Sequence, residues 1–131
     1  PVHDRITPGQ VEGLLESHPG AVFVAHPECR EEVLRLADEV ASTEGIYLFA
    51  KRTAAREIIV GSERGMLYRL ERDNPGKVFL FPSKDTLCPN MKLVTLEKVL
   101  RSLRDLEPRV EVPGDIRVRA LRAVERMVSV G

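Results

Sequence analysis

A three-layer α/β/α fold, with a short parallel sheet of Rossmann-like type followed by C-terminal helices, is what this 131-residue sequence predicts. Three observations carry that expectation. Short apolar runs, AVFVA, REIIVG and KVFLF, alternate with segments whose apolar residues recur at a helical period. The runs are apolar on both faces, as strands covered by helices on both sides are. Each run then gives way to polar residues: HPEC, GSERG and PSKDTLC.

Taken in order, Thr7-Pro8 reads as an N-cap followed by Pro at the first helical position. That helix carries Val11, Leu14 and Leu15 on one face and stops at SHPG, with His18 near its C-terminal end. Residues 21–25 form a strand, and residues 30–37 a helix with Val33, Leu34 and Ala37 at core spacing. EVAST is a short strand running into a Ser-Thr helix cap, and Ile46, Leu48, Phe49 and Ala50 make the next segment helical. A strand over 56–61, a helix over 64–73 with Met66, Leu67 and Leu70 inward, a turn at 74–76 and a strand over 77–81 follow. After an irregular stretch, Thr95 caps an amphipathic helix with Leu96, Val99, Leu100, Leu103 and Leu106. RVEV reads as a short strand, and Asp115 as the cap of a last helix with Leu121, Val124 and Val128 inward. The expected division is an α/β domain over residues 1–93 and a helical segment over 94–131.

Composition narrows the function. Lys plus Arg number 20 and Asp plus Glu number 20, so the formal net charge is zero and the basic footprint of a nucleic-acid binder is missing. No apolar run approaches the ~18 residues that span a bilayer, and the opening PVHDRITPGQ has no apolar leader-like stretch. No membrane association and a cytoplasmic location are the expectations. The two cysteines, Cys29 and Cys88, lie far apart and outside any zinc-finger spacing. A Cys29–Cys88 disulfide is disfavoured in a reducing compartment.

Ligands of such sheets bind at the carboxyl ends of the strands. That places HPEC, ASTEG, GSERG and PSKDTLC on one edge. His26 and Glu28, two residues apart across Pro27, suit proton transfer; a strand-ending histidine and a glutamate at a helix start are the alternative. Ser42 and Thr43 either hold an anion with the backbone N–H groups of a helix start or simply cap it. GSERG is neither GxGxxG nor a Walker loop, and a tight turn explains both glycines; Glu63 is its residue most open to a role. Cys88, before Pro89, resembles the Cys-Pro context of some iron–sulfur ligands, whereas Cys29 reads as a small buried hydrophobe. Arg119, Arg122 and Arg126 form either a solvated face or a subunit contact.

AHPEC, then AST about a helix later, then IIVGSERG and CPNMKLVTLEKVL, in this order, resemble quinolinate synthase over essentially the whole chain. The resemblance implies an enzyme of NAD biosynthesis that condenses iminoaspartate with dihydroxyacetone phosphate, built from three similar α/β layers. It implies a 4Fe-4S cluster acting as a Lewis acid, held by three cysteines, one from each layer. This chain matches the C-terminal part, with Cys88 as the last cluster ligand and the other two in the remaining N-terminal part. The resemblance assigns His26 and Glu28 to acid–base work and Ser42, Thr43 and His3 to substrate. Glu44 stands where the family usually has Ser, and Ser62 where it usually has Thr. With one ligand of three, this chain alone is expected to be inactive. The competing expectation is a non-catalytic α/β domain for ligand binding or interaction.

Overall fold

The structure is a computed structural model that describes residues 2–130. Four parallel strands form one sheet: β1 (Val22–Ala25), β2 (Glu39–Val40), β3 (Glu57–Gly61) and β4 (Val78–Leu80), in the order β2-β1-β3-β4. Helices α1 (Pro8–Ser17), α2 (Glu31–Leu34), α3 (Thr43–Arg52) and α4 (Leu67–Asp73) accompany them. Successive strand residues face opposite sides of a sheet, and two cores follow from that alternation. Val24, Ile58 and Val60 pack with Ile46, Phe49 and Ala50 of α3 and Leu70 of α4. Phe23, Ala25 and Ile59 pack with Val11 of α1 and Val33 of α2 on the other face. The three-layer α/β/α arrangement expected from the sequence is therefore present.

Register brings the strand exits level. Ala25 pairs with Val40 on one side and with Gly61 on the other. The chain leaves β1 toward β2 and then returns past β1 to β3, so the order in which the strands are connected reverses between β1 and β3. Such a switch point opens a crevice at the carboxyl edge. Backbone bonds hold it: the His26 N–H donates to the Gly61 carbonyl at 3.0 Å.

Local chemistry explains most boundaries. At the start of α1 the Thr7 N–H donates to Gln10 Oε1 at 3.0 Å, with Pro8 at the first helical position. His18 caps its end and meets Glu57 of β3 at 3.2 Å. Ser42 Oγ accepts the Gly45 N–H at 3.2 Å and starts α3. Gly76 takes the turn before β4 at φ +91, a conformation glycine adopts without a Cβ clash.

Several expectations need correction. The helix expected over 30–37 ends at Leu34. Asp38 accounts for this: its Oδ2 accepts the Phe23 N–H at 2.8 Å and its own N–H donates to the Phe23 carbonyl, pulling the chain back to the sheet. The helix expected over 64–73 opens with a 3-10 turn at Arg64–Met66. The helix expected around Ile46–Ala50 is present as α3, with Tyr47 buried and Leu48 exposed.

The described chain falls into two units, one ending at Met91 and the other beginning at Lys92. The second holds α5 (Leu96–Asp105) and α6 (Gly114–Ser129). Thr95 caps α5 as expected, its Oγ1 accepting the Lys98 N–H at 3.3 Å, and Leu106 ends it in the left-handed region at φ 56. RVEV is not a strand: among the described residues no β neighbour pairs with it, and Arg109 meets Glu111 at 3.0 Å instead. Pro113, not Asp115, is the cap of α6; Asp115 lies in the first turn, where the helix dipole favours a carboxylate. Leu121, Val124 and Val128 are exposed rather than inward. An amphipathic period says which face of a helix is apolar but not what covers it. Among the described residues, no helix is long and apolar enough to cross a membrane.

Candidate active site

Three segments meet at the crevice between β1 and β3. A 3-10 turn at His3–Arg5 delivers His3. The turn after β1 carries His26 and Glu28, and the turn after β3 carries Ser62 and Glu63. The two imidazoles stack, with ring centroids 4.3 Å apart and planes 9° from parallel. His3 Nδ1 lies 2.9 Å from Glu28 Oε2, and His3 Nε2 lies 3.3 Å from Ser62 Oγ. An ionised Glu28 only accepts, so His3 carries its proton on Nδ1 and Nε2 accepts from the Ser62 hydroxyl. The order Ser–His–carboxylate looks like a nucleophilic triad. Ser62, however, is only 2 % exposed, so its hydroxyl orients His3 rather than attacking a substrate.

His26 is held in the complementary way. The Glu28 N–H donates to His26 Nδ1 at 3.3 Å, which leaves the proton of the neutral ring on Nε2. Burial lowers the His26 pKa, with the neighbouring His3 adding to the effect and Glu28 opposing it. The ring is thereby biased toward its neutral form.

Cys88 reaches the same place from the loop after β4. With Val2, His3, Glu28, Glu63 and Met91 it lines a cleft of about 220 Å³. Its thiol is half-buried and in no disulfide. Cys29 is excluded from such a role. It is buried, its thiol donates to the Gly61 carbonyl at 3.2 Å, and burial pushes its pKa up to about 11. So one thiol, one imidazole and two carboxylates line the cleft, with the His26 ring stacked on that of His3. That donor set suits one corner of a metal group held chiefly by other ligands, and does not by itself make a cubane cluster site. His3, His26 and Glu28 offer ligand atoms within 4.8 Å of one another. The lone pairs of stacked rings run parallel, so one ion would need a ring to turn before taking both imidazoles.

Ser42 and Thr43 stand apart from this cluster. They open α3 beyond β2, and both are exposed. Ser42 is the cap and Thr43 the first helical residue, so their hydroxyls share the positive end of the helix dipole. Glu44 beside them is matched: Arg69 of α4 grips its carboxylate with two nitrogens at 3.1 and 3.3 Å and lies 4.0 Å over the Tyr47 ring. The carboxylate that Glu44 adds is thus paired with a cation.

Sequence reasoning noted Ser62 only as a departure from the family and gave Glu63 no assigned role; it found neither contact. Ser62 contacts His3 across 59 residues, and Glu63 contacts Cys88 across 25. The only local signal for either is two polar residues directly after an apolar strand, at an edge where ligands bind.

The sequence profile of the quinolinate synthetase A protein family matches residues 1–129. The quinolinate synthase of Geotalea uraniireducens is 46% identical over 130 residues, which is 99% of this chain and 43% of that protein. One from Dehalococcoides mccartyi is 48% identical over 130 residues, again 43% of its length. Quinolinate synthase 1 of Methanosarcina acetivorans is 46% identical over 130 residues. The chain therefore spans well under half the length of the curated relatives it matches.

Proposed function

The chain belongs to the quinolinate synthetase A protein family, and we propose that it forms the C-terminal portion of a quinolinate synthase that condenses iminoaspartate with dihydroxyacetone phosphate in the cytoplasm. The observation that carries this reading is the convergence of His3, His26, Glu28 and Cys88 at one switch-point crevice. Cys88 would hold one corner of a 4Fe-4S cluster, with the two further thiolates coming from the remainder of the enzyme. When bound, that cluster supplies Lewis acidity at an iron lacking a protein ligand.

The chain's own residues handle protons and anions. His26, kept neutral by burial, exchanges a proton with substrate at Nε2, because Nδ1 accepts the Glu28 N–H. Glu28, whose carboxylate accepts the His3 Nδ1–H, is the second proton-transfer group. His3, fixed by Ser62 and Glu28, walls the cleft and presents a polar ring to substrate. Ser42 and Thr43 donate their hydroxyl protons to a carboxylate or phosphate at the start of α3.

The test uses the full-length enzyme, purified without oxygen. Cys88→Ser abolishes quinolinate formation and lowers bound iron, while His26→Ala abolishes formation with iron retained. This chain alone, given iron, sulfide and both substrates, forms no quinolinate. Turnover by the isolated chain, or a Cys88→Ser enzyme with full iron and full rate, would defeat the reading.

A further inference from the structure

Glu63 is a buried carboxylate that the proposed chemistry does not use. It is 8 % exposed and lines the cleft beside Cys88. Oε2 accepts the Gly65 N–H at 2.6 Å and Oε1 accepts the Cys88 N–H at 3.1 Å. The first bond is local and caps the 3-10 turn at Arg64–Met66. The second spans 25 residues and ties the loop after β4 to the exit of β3. A further tie runs beside it, since the Arg64 N–H donates to the Thr86 carbonyl at 2.9 Å. Thr86 is fully buried and bonds Ser83 at 3.0 Å. The cysteine-bearing loop is clamped at two points, and a carboxylate makes one of them.

A carboxylate is costly to bury unless its oxygens are hydrogen-bonded. Here each oxygen takes one backbone N–H. A glutamine offers one oxygen and would turn its NH₂ toward the other N–H. The bond to Cys88 has a second effect. The Cys88 N–H is committed to Glu63 and is not available to a sulfur. Hydrogen bonds to sulfur and the local net charge both set the potential of an iron–sulfur group. A withheld N–H favours the oxidised state.

We infer that Glu63 is a positioning residue for Cys88: its carboxylate fixes the thiol-bearing loop and holds low the reduction potential of the metal group that Cys88 helps to bind. The inference rests on the reading of Cys88 as a ligand. A low potential suits a Lewis acid that must not exchange electrons during turnover.

The experiment compares Glu63→Gln, Glu63→Asp and Cys88→Ser in the full-length, cluster-loaded enzyme without oxygen. Two quantities are read: the rate of iron loss to a chelator and the midpoint potential from a spectroscopic redox titration. Loss of outer-shell partners typically weakens metal binding about 10–100-fold, so Glu63→Gln releases iron faster by about that factor. Its midpoint potential also rises. An unmoved potential overturns the inference even if release is faster, because loosened packing alone would speed release. Should Glu63→Gln fail to accumulate, Glu63→Asp keeps the charge on a shorter reach. Faster release from it is then expected, and an unchanged rate overturns the inference. Cys88→Ser separates the two claims. If it retains its iron, the ligand reading fails; if it loses iron while Glu63→Gln matches the unsubstituted enzyme, only the inference about Glu63 fails.

Discussion

His3 and His26 stack face to face, 4.3 Å between ring centroids, although they lie far apart in sequence and different backbone segments carry them. The stack has electrical consequences. Each ring removes water from the other, and two adjacent imidazolium ions would repel. Their hydrogen bonds then divide the labour. His3 is gripped at both nitrogens, by Glu28 and Ser62, whereas His26 is gripped at Nδ1 by the Glu28 N–H. Under the proposed function the fully constrained ring is the wall and the ring held at one nitrogen the proton carrier.

His3→Ala should therefore raise the pKa of His26 toward its ordinary 6.5, since it removes both a cover and a repelling charge. Imidazole shifts in a titration followed by NMR read this directly. The sign also fixes a pH dependence. A depressed pKa in the folded state means the unfolded chain binds the proton more readily. The contribution of His26 to stability is present above pH 6.5 and is lost as pH falls through the folded-state pKa. An unchanged or lowered His26 pKa in the alanine variant would contradict the stacking account.

The two thiols should behave as different species. Burial raises the Cys29 pKa to about 11, so at pH 8 it is a protonated, covered thiol. An aromatic disulfide reagent should titrate one thiol, Cys88, in the native chain at pH 8 and two in denaturant. The stabilising effect of keeping Cys29 protonated holds below its reference value of 9.0 and is lost as pH rises through about 11. Two thiols reacting at the same native rate would refute the assignment.

What the sequence made legible follows from what is local. Strand cores, the caps at Thr7, Ser42 and Thr95, and the polar strand exits are set by neighbours within a few residues. His26 and Glu28 were legible because a histidine and a carboxylate directly follow an apolar strand. The Ser62–His3 and Glu63–Cys88 contacts were not, because each depends on the register of strands that meet only in the folded sheet. The short α2 was hidden for the same reason: Asp38 ends it from across the chain, through Phe23.

Gly61 should tolerate no side chain. A Cβ there would lie 2.9 Å from the Phe23 ring and 3.3 Å from the Ala25 backbone, and Phe23 is fully buried with nowhere to move. Overpacking of this kind typically costs about 1–3 kcal/mol. The Gly61 carbonyl also receives the His26 N–H and the Cys29 thiol, so a displaced β3 disturbs the site as well. Gly61→Ala should lower the denaturation midpoint and make Cys29 reactive toward thiol reagents in the native state. A variant with the original midpoint would show that the strand yields at no cost.

Two substitutions of similar chemistry should differ sharply. Ile58 is fully buried in the central strand, packed with α3 and α4, and Ile58→Ala should cost about 2–5 kcal/mol through lost burial and the cavity left behind. Leu100 lies on the apolar stripe of α5 but is 62% exposed in this chain. Its replacement by Ala creates no cavity and favours the helix, so the change should stay within about 0.5 kcal/mol. Urea unfolding of the 131-residue chain, followed by far-ultraviolet circular dichroism, measures both. A loss for Leu100→Ala comparable to that for Ile58→Ala would mean that the stripe is covered in solution, and the exposed faces of α5 would then belong to a core.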